Sequence, residues 1–175
     1  MAKAQGAADI YLRKGALLTV ATSLVDGARS DERGVWTGLT TDDFDAACRL
    51  QGADAPDSAL GADLRCALVE SRIGVPAPDA WATKGMDGEK PELDARLAAA
   101  FGLPGPAKLY AGMLSCYASW SLGEVLLIPT KRRRGGRFEG FQPAWQDQHP
   151  DVIVAFAASD AELGAAIRTC LRNCL

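Results

Sequence analysis

An internal echo restricts this fold more than any other feature of the chain. The C-terminus reads Asp160-Ala161-Glu162-Leu163-Gly164-Ala165-Ala166-Ile167-Arg168-Thr169-Cys170-Leu171, and an earlier stretch reads Asp57-Ser58-Ala59-Leu60-Gly61-Ala62-Asp63-Leu64-Arg65-Cys66-Ala67-Leu68. Asp, Leu, Gly, Ala, Arg and Leu recur in the same places, and Leu64 stands where Ile167 does. The apolar residues fall at i, i+4 and i+8, which is one stripe of a helix. Asp57 and Asp160 occupy the expected N-cap positions, where a short side-chain oxygen can accept from the free N–H groups of the first turn. Upstream, Gly15–Thr22 resembles Gly123–Thr130, and Gly34–Leu39 resembles Gly136–Phe141. Three blocks recurring in one order predict a two-copy duplication. The copies are expected over about residues 10–72 and 114–175, joined by a helical linker over about 73–113, within a single domain spanning 1–175 and related by a pseudo-twofold axis.

Local patterns supply the elements. Residues 1–9 read as a loose tail, Ile10–Leu12 as the start of a strand, and Leu17–Thr22 as a strand covered on both faces. Val35–Leu39 reads as a returning hairpin strand after the Asp26-Gly27 turn. Residues 44–50 are ambiguous. Thr41-Asp42-Asp43 looks like a helix start, yet Phe44, Ala46, Cys48 and Leu50 alternate as in a strand. The echo favours strand, because the matching place is Val152-Ile153-Val154-Ala155-Phe156. Pro91 opens a linker helix that Gly102 closes. Leu114–Trp120 and Val125–Thr130 form strands around a Leu122-Gly123 turn, and a loop over 131–136 leads to Phe138–Phe141. Strands precede one helix in each half. The fold class is therefore α+β, a mostly antiparallel sheet with helices on one face, built from two pseudo-repeated halves.

The residues show no catalytic constellation. His149 is the only histidine and reads as an exposed loop residue. Cys170 and Cys174 are one helical turn apart, but no second pair or nearby histidine completes a metal site. Cys48, Cys66 and Cys116 fall at apolar positions and read as small hydrophobes. Gly34, Gly38, Gly136 and Gly140 match no phosphate-binding fingerprint and read as hairpin bends. Trp36 and Trp120 read as core, Trp81 and Trp145 as packing at the sheet ends or interface anchors. Catalytic and metal residues are thus expected to be none, and no cofactor is implied.

Charge is uneven along the chain although the net charge is only −3. Asp31, Glu32, Asp42, Asp43, Asp45, Asp54, Asp57 and Asp63 face Arg33 and Arg49 alone. This stretch is either a solvated face with helix caps or an electrostatic docking patch for a basic protein. Lys131, Arg132, Arg133, Arg134 and Arg137 form a basic run that reads as a solvated loop, or as a phosphate-gripping site. A small RNA-binding protein or nuclease using loop 131–137 and His149 is the alternative from another class. The first residues lead into no apolar signal core, no stretch is long and apolar enough for a membrane span, and the five cysteines form no Cys-x-x-Cys pair, which suits a reducing cytoplasm.

One set of motifs in order carries a resemblance. Tyr11-Leu12-Arg13-Lys14-Gly15 is followed by Gly34-Val35-Trp36, then Leu60-Gly61, Ser71-Arg72 and Gly74-Val75-Pro76. Ile128-Pro129-Thr130, Gly136-Arg137-Phe138-Glu139 and Asp160-Ala161-Glu162-Leu163-Gly164 complete it. Together they resemble the immunity proteins of contact-dependent growth inhibition systems, the CdiI type, over nearly the whole chain from about Tyr11. The resemblance implies a cytoplasmic, non-enzymatic antitoxin. It implies a one-to-one complex with the toxic C-terminal domain of an exoprotein, commonly a basic nuclease acting on transfer RNA, with no direct nucleic-acid or membrane contact. It carries over no site residues, because the toxin-facing surface differs between members. This chain departs from the family pattern between Leu39 and Ala59, where it is longer and more acidic. On charge, Asp42, Asp43, Asp45, Asp54 and Asp57 are the expected toxin-binding residues, standing in for RNA phosphates against the toxin's Lys and Arg.

Overall fold

The computed structural model describes residues 5–25, 48–76, 90–133 and 138–175. In chain order its elements are β1 (Gly6–Arg13), β2 (Ala16–Ala21), β3 (Leu24–Val25), β4 (Cys48–Gly52), α1 (Asp57–Glu70) and β5 (Ile73–Val75). Then follow α2 (Lys90–Ala100), a 3-10 turn (Pro106–Lys108), β6 (Leu114–Ser121), β7 (Glu124–Arg132), β8 (Phe138–Gly140), α3 (Pro143–Gln146), β9 (Val152–Ala155) and α4 (Asp160–Arg172). The main sheet is antiparallel and seven-stranded, in the order β4-β2-β1-β6-β7-β8, with β9 also paired to β7. The short β3 and β5 pair in parallel. This is the α+β class expected. The returning strand at Val35–Leu39 lies outside the described residues, as do Asp42, Asp43, Asp45, Trp36 and Trp81.

Two tight turns set the sheet. Lys14-Gly15 and Leu122-Gly123 have φ values of 45° and 80°, and 50° and 81°. Positive φ at both central residues matches the turn whose twist suits a right-handed hairpin. Glycine takes that conformation freely, whereas Lys14 and Leu122 carry the steric cost of their Cβ atoms. The hairpins β1–β2 and β6–β7 then join through β1 and β6. Ala8 pairs with Ala118 and Ile10 with Cys116, on either side of Asp9 and Tyr117.

Residues 6–9 belong to β1 rather than to a loose tail. The reason is long-range. Gly6 and Ala7 pair with Trp120 and Ser119, and a Cβ on Gly6 would lie 2.0 Å from the Leu68 carbonyl oxygen of α1. The local Gly-Ala-Ala run gives no hint of these partners. The strand expected over 44–50 exists from Cys48 and runs to Gly52, while 44–47 lie outside the described residues.

Both expected caps move back one residue. Helix α1 starts at Asp57 after Pro56, with no side-chain cap. Helix α4 is capped by Ser159, which accepts from the Glu162 N–H while the Glu162 carboxylate accepts from the Ser159 N–H. Asp57 and Asp160 are the first helical residues, where a negative charge still favours the positive end of the helix. Their carboxylates go to arginines instead of to the helix.

Helices α1 and α4 cross on one face of the sheet. Between them and the sheet lie Leu60, Leu64, Leu68, Leu163 and Ile167, packed on Ile10, Leu17, Val125 and Leu127. Each such side chain contributes about 1.5–3 kcal/mol when fully buried. The connecting helix α2 lies on the other face, where Leu97 and Ala98 pack with Tyr11, Leu18 and Val20. The expectation of helices on one face thus holds for α1 and α4, and α2 is an addition opposite them. Alternation within β1 and β2 separates the two clusters, since neighbouring side chains leave a strand on opposite faces.

Candidate functional site

At the α1–α4 crossing the contacts come in matched pairs. A Cβ on Gly61 would lie 1.8 Å from the Asp160 carbonyl oxygen, and one on Gly164 would lie 1.9 Å from that of Asp57. The helix backbones touch at both glycines. Arg65 donates to the Asp160 carboxylate at 2.9 Å and to the carbonyls of Phe156 and Ala158. Arg168 donates to the Asp57 carboxylate and to the carbonyls of Ala53 and Ala55. The Arg65 guanidinium also lies over the Phe156 ring, which stacks on Trp120 at 4.0 Å between centroids. Two guanidinium forks therefore close the start of each helix onto the other.

This arrangement divides the expected acidic residues. Asp57 is held by Arg168 in the crossing and remains partly exposed. Asp54 lies two residues beyond β4 and is exposed. Around it the other carboxylates have partners. Arg49 spans Glu70 at 3.0 Å and Asp63 at 3.9 Å, and Gln51 donates to Asp63 at 2.9 Å. Acidic and basic side chains are equal in number among the described residues, so the net charge of −3 belongs to the remaining segments. The segment 26–47 leaves the described fold at Val25, the end of β3, and re-enters it at Cys48, the start of β4, which is the outermost strand among the described residues. It holds Asp26, Asp31, Glu32, Asp42, Asp43 and Asp45 against Arg29 and Arg33.

The basic run is largely tied down. Lys131 and Arg132 lie within β7 and not in a loop. Arg132 donates to the Tyr110 carbonyl, Arg133 to the Glu139 carboxylate at 2.7 Å, and the Lys131 ammonium sits 5.8 Å from the centre of the Phe141 ring. Residues 134–137 are outside the described set. His149 is half-buried instead of exposed. Its ring stacks on Phe141 at 4.0 Å, and its Nδ1 lies 2.7 Å from the Asn173 carbonyl oxygen, so that nitrogen is the donor. It fastens the loop before β9 to the end of α4.

A second polar cluster lies beside α2. Lys90 bonds both oxygens of Asp94, at 2.8 and 3.0 Å, and lies over the Tyr110 ring. The Tyr110 hydroxyl donates to Asp94, and burial together with that carboxylate pushes its pKa well up. Tyr11 is pushed up too, first by burial and then by Asp9. Both phenols are held in their protonated form, and the Lys90, Asp94 and Tyr110 contacts fasten α2 to the turn that follows it.

The thiols behave as packing groups. Cys116, Cys170 and Cys174 are buried together under α4. The hydrogen bond with Cys116 raises Cys170, and that with Cys170 raises Cys174, with burial adding to both. Cys116 is lowered by its bond with Cys170, but burial together with the nearby Cys174 and Asp9 raises it overall. Cys66 is exposed on α1, contrary to the core role expected for it, because its position lies off the buried stripe of Leu60, Leu64 and Leu68. Among the described residues no group of three or more His, Cys, Asp or Glu is placed to hold a metal ion. No described helix is long and apolar enough to cross a membrane.

Comparison with known proteins adds three findings. A profile of the family described as CDI immunity protein (CdiI) matches residues 32–174. The fold is shared with a protein of unknown function from Neisseria meningitidis, at a TM-score of 0.73 and 18% identity, covering 100% of this chain and 99% of that one. It is also shared with a chain of a CdiA-CT/CdiI toxin and immunity complex from Yersinia pseudotuberculosis, at 0.75 and 20% identity, covering 97% of each chain. No curated protein matches the sequence.

Proposed function

The chain belongs to the CDI immunity protein family, and from that premise we propose that it binds and neutralises the toxic C-terminal domain of a contact-dependent growth inhibition exoprotein. The toxin in this reading is a basic, tRNA-cleaving nuclease. The complex is one-to-one, forms in the cytoplasm, and works by covering the active site. The immunity protein itself catalyses nothing and uses no cofactor.

The charge distribution carries this reading. The described residues carry equal numbers of acidic and basic side chains, and the largest share of the remaining negative charge belongs to segment 26–47, with six acidic side chains against two basic ones. Asp42, Asp43 and Asp45 supply closely spaced carboxylates, and Asp54 adds one just past β4. A nuclease groove lined with Lys and Arg would bind them as it binds phosphates, through charge-assisted hydrogen bonds. Such a patch speeds encounter and rejects partners of the wrong sign. Asp57 contributes less, because Arg168 already holds it. The RNA-binding alternative gains no support from Arg132, Arg133 and His149, which are engaged within the fold.

We also propose that the single domain arose by duplication of a unit of about 60 residues, with copies over about 10–72 and 114–175. The matched glycines, arginines and turns support it.

The test is charge reversal. Asp42→Lys, Asp43→Lys and Asp45→Lys together should weaken binding to the cognate toxin domain by about a hundredfold or more, mainly in the association rate and in its salt dependence. Unchanged affinity would remove this segment from the interface.

A further inference from the structure

We infer that the surface joining the two halves is self-complementary, and that it also fits a second copy of this chain, with which it can exchange halves. Across the α1–α4 crossing the glycine contacts and the arginine hydrogen bonds have mates with the roles reversed. Gly61 meets Asp160 and Gly164 meets Asp57. Arg65 clasps Asp160 and two carbonyls, as Arg168 clasps Asp57 and two carbonyls. The sheet repeats the pattern. Ala8 opposite Ala118 is mirrored by Ile10 opposite Cys116, about the central pair Asp9 and Tyr117. At its two ends the Ala53 N–H donates to the Gly15 carbonyl at 2.7 Å, and the Phe156 N–H donates to the Gly123 carbonyl at 2.8 Å. Surfaces on which i meets j while j meets i are those of twofold dimers.

In an exchanged dimer, the N-terminal half of one copy meets the C-terminal half of the other. The glycine crossing, both arginine forks and the β1–β6 ladder all form unchanged. Pairing of two N-terminal halves would instead set Asp9 against Asp9 at the centre of the ladder, and directly opposed like charges destabilise a strand pair. Asp9 opposite Tyr117 therefore selects the C-terminal half as partner. Within one chain closure wins at ordinary concentrations, because the tethered halves see each other at an effective concentration in the millimolar range. Exchange competes when the protein refolds at high concentration, or when closure within one chain is blocked. This inference does not depend on the identity of any toxin.

Complementation between two full-length variants tests it. Gly61→Leu and Gly164→Leu each block one contact of the crossing within their own chain. In an exchanged heterodimer, one unit combines the unaltered N-terminal half of the Gly164→Leu chain with the unaltered C-terminal half of the Gly61→Leu chain. Unfolded together and refolded as a mixture, they should give a species of twice the monomer mass containing both chains, about tenfold enriched over either variant refolded alone. A mixture that behaves as the two variants do separately would overturn the inference. The unaltered chain provides a second reading. Its dimer fraction should rise with concentration during refolding and persist on dilution, and a purely monomeric product up to millimolar concentration would also overturn it.

Discussion

Replacing Gly61 with alanine should destabilise the protein, although alanine is the better helix former. In an exposed helix interior the change gains about 1 kcal/mol. Here the new methyl would start 1.8 Å from the Asp160 carbonyl oxygen. Non-bonded atoms settle at about 3.5 Å, so α1 and α4 must part by about 1.5 Å or more. The obstacle is backbone, so no side chain can swing aside. Overpacking a tight core costs about 1–3 kcal/mol and occasionally more, and this contact belongs at the upper end. The net loss is then about 2 kcal/mol. Adding Gly164→Ala should cost less than a second equal loss, because helices already pushed apart accept the second methyl. A coupling of about 1 kcal/mol or more is expected between the two sites. Urea unfolding measures both, as a lower midpoint with an unchanged slope. A Gly61→Ala protein as stable as the parent, or strictly additive losses, would refute the backbone-to-backbone crossing.

Arg168→Ala should cost about 2–3 kcal/mol in the same assay, since it strips the partners from two carbonyls and a half-exposed carboxylate whose ion pair alone is discounted for screening. Leu122→Asn should instead stabilise by roughly 0.5–1 kcal/mol, because Leu122 is 81% exposed at a φ of 50° that asparagine adopts more readily. Titration with a thiol reagent in the native state should find Cys66 fast, Cys48 slower, and Cys116, Cys170 and Cys174 protected until unfolding. The Ser159 side chain and backbone hold the Glu162 carboxyl below its ordinary range. A depressed carboxyl pKa stabilises above the unfolded value, and that contribution is lost as pH falls through the folded value. The advantage of the parent over Glu162→Gln in unfolding midpoint should therefore be present at neutral pH and shrink as the pH falls below the ordinary glutamate range.

Much of the architecture was legible because it rests on local chemistry. The stripes of α1 and α4, the Leu122-Gly123 turn and the Gly102 helix end follow from spacing and residue type. The matching Lys14-Gly15 turn was not read as one, since lysine carries no turn signal of its own. What escaped was set across long distances. Gly6 to Asp9 form a strand because β6 and α1 receive them, and nothing in Gly-Ala-Ala-Asp says so. The roles of Asp57 and Asp160 looked like capping because capping is the commonest use of aspartate there. Arginines more than ninety residues away claimed them instead. His149 looked free because Phe141 and Asn173 are distant in sequence. An interaction surface is harder still to read, because its shape answers to a partner that leaves no trace in the chain's own periodicity.

The most direct measurement is protection and binding against the cognate toxin domain. The account predicts that cells producing that domain grow when this chain is co-produced, that the two proteins purify as a one-to-one complex, and that lysines at Asp42, Asp43 and Asp45 weaken both while leaving the fold's unfolding midpoint in place. Growth arrest despite abundant folded immunity protein, with no complex formed, would contradict it.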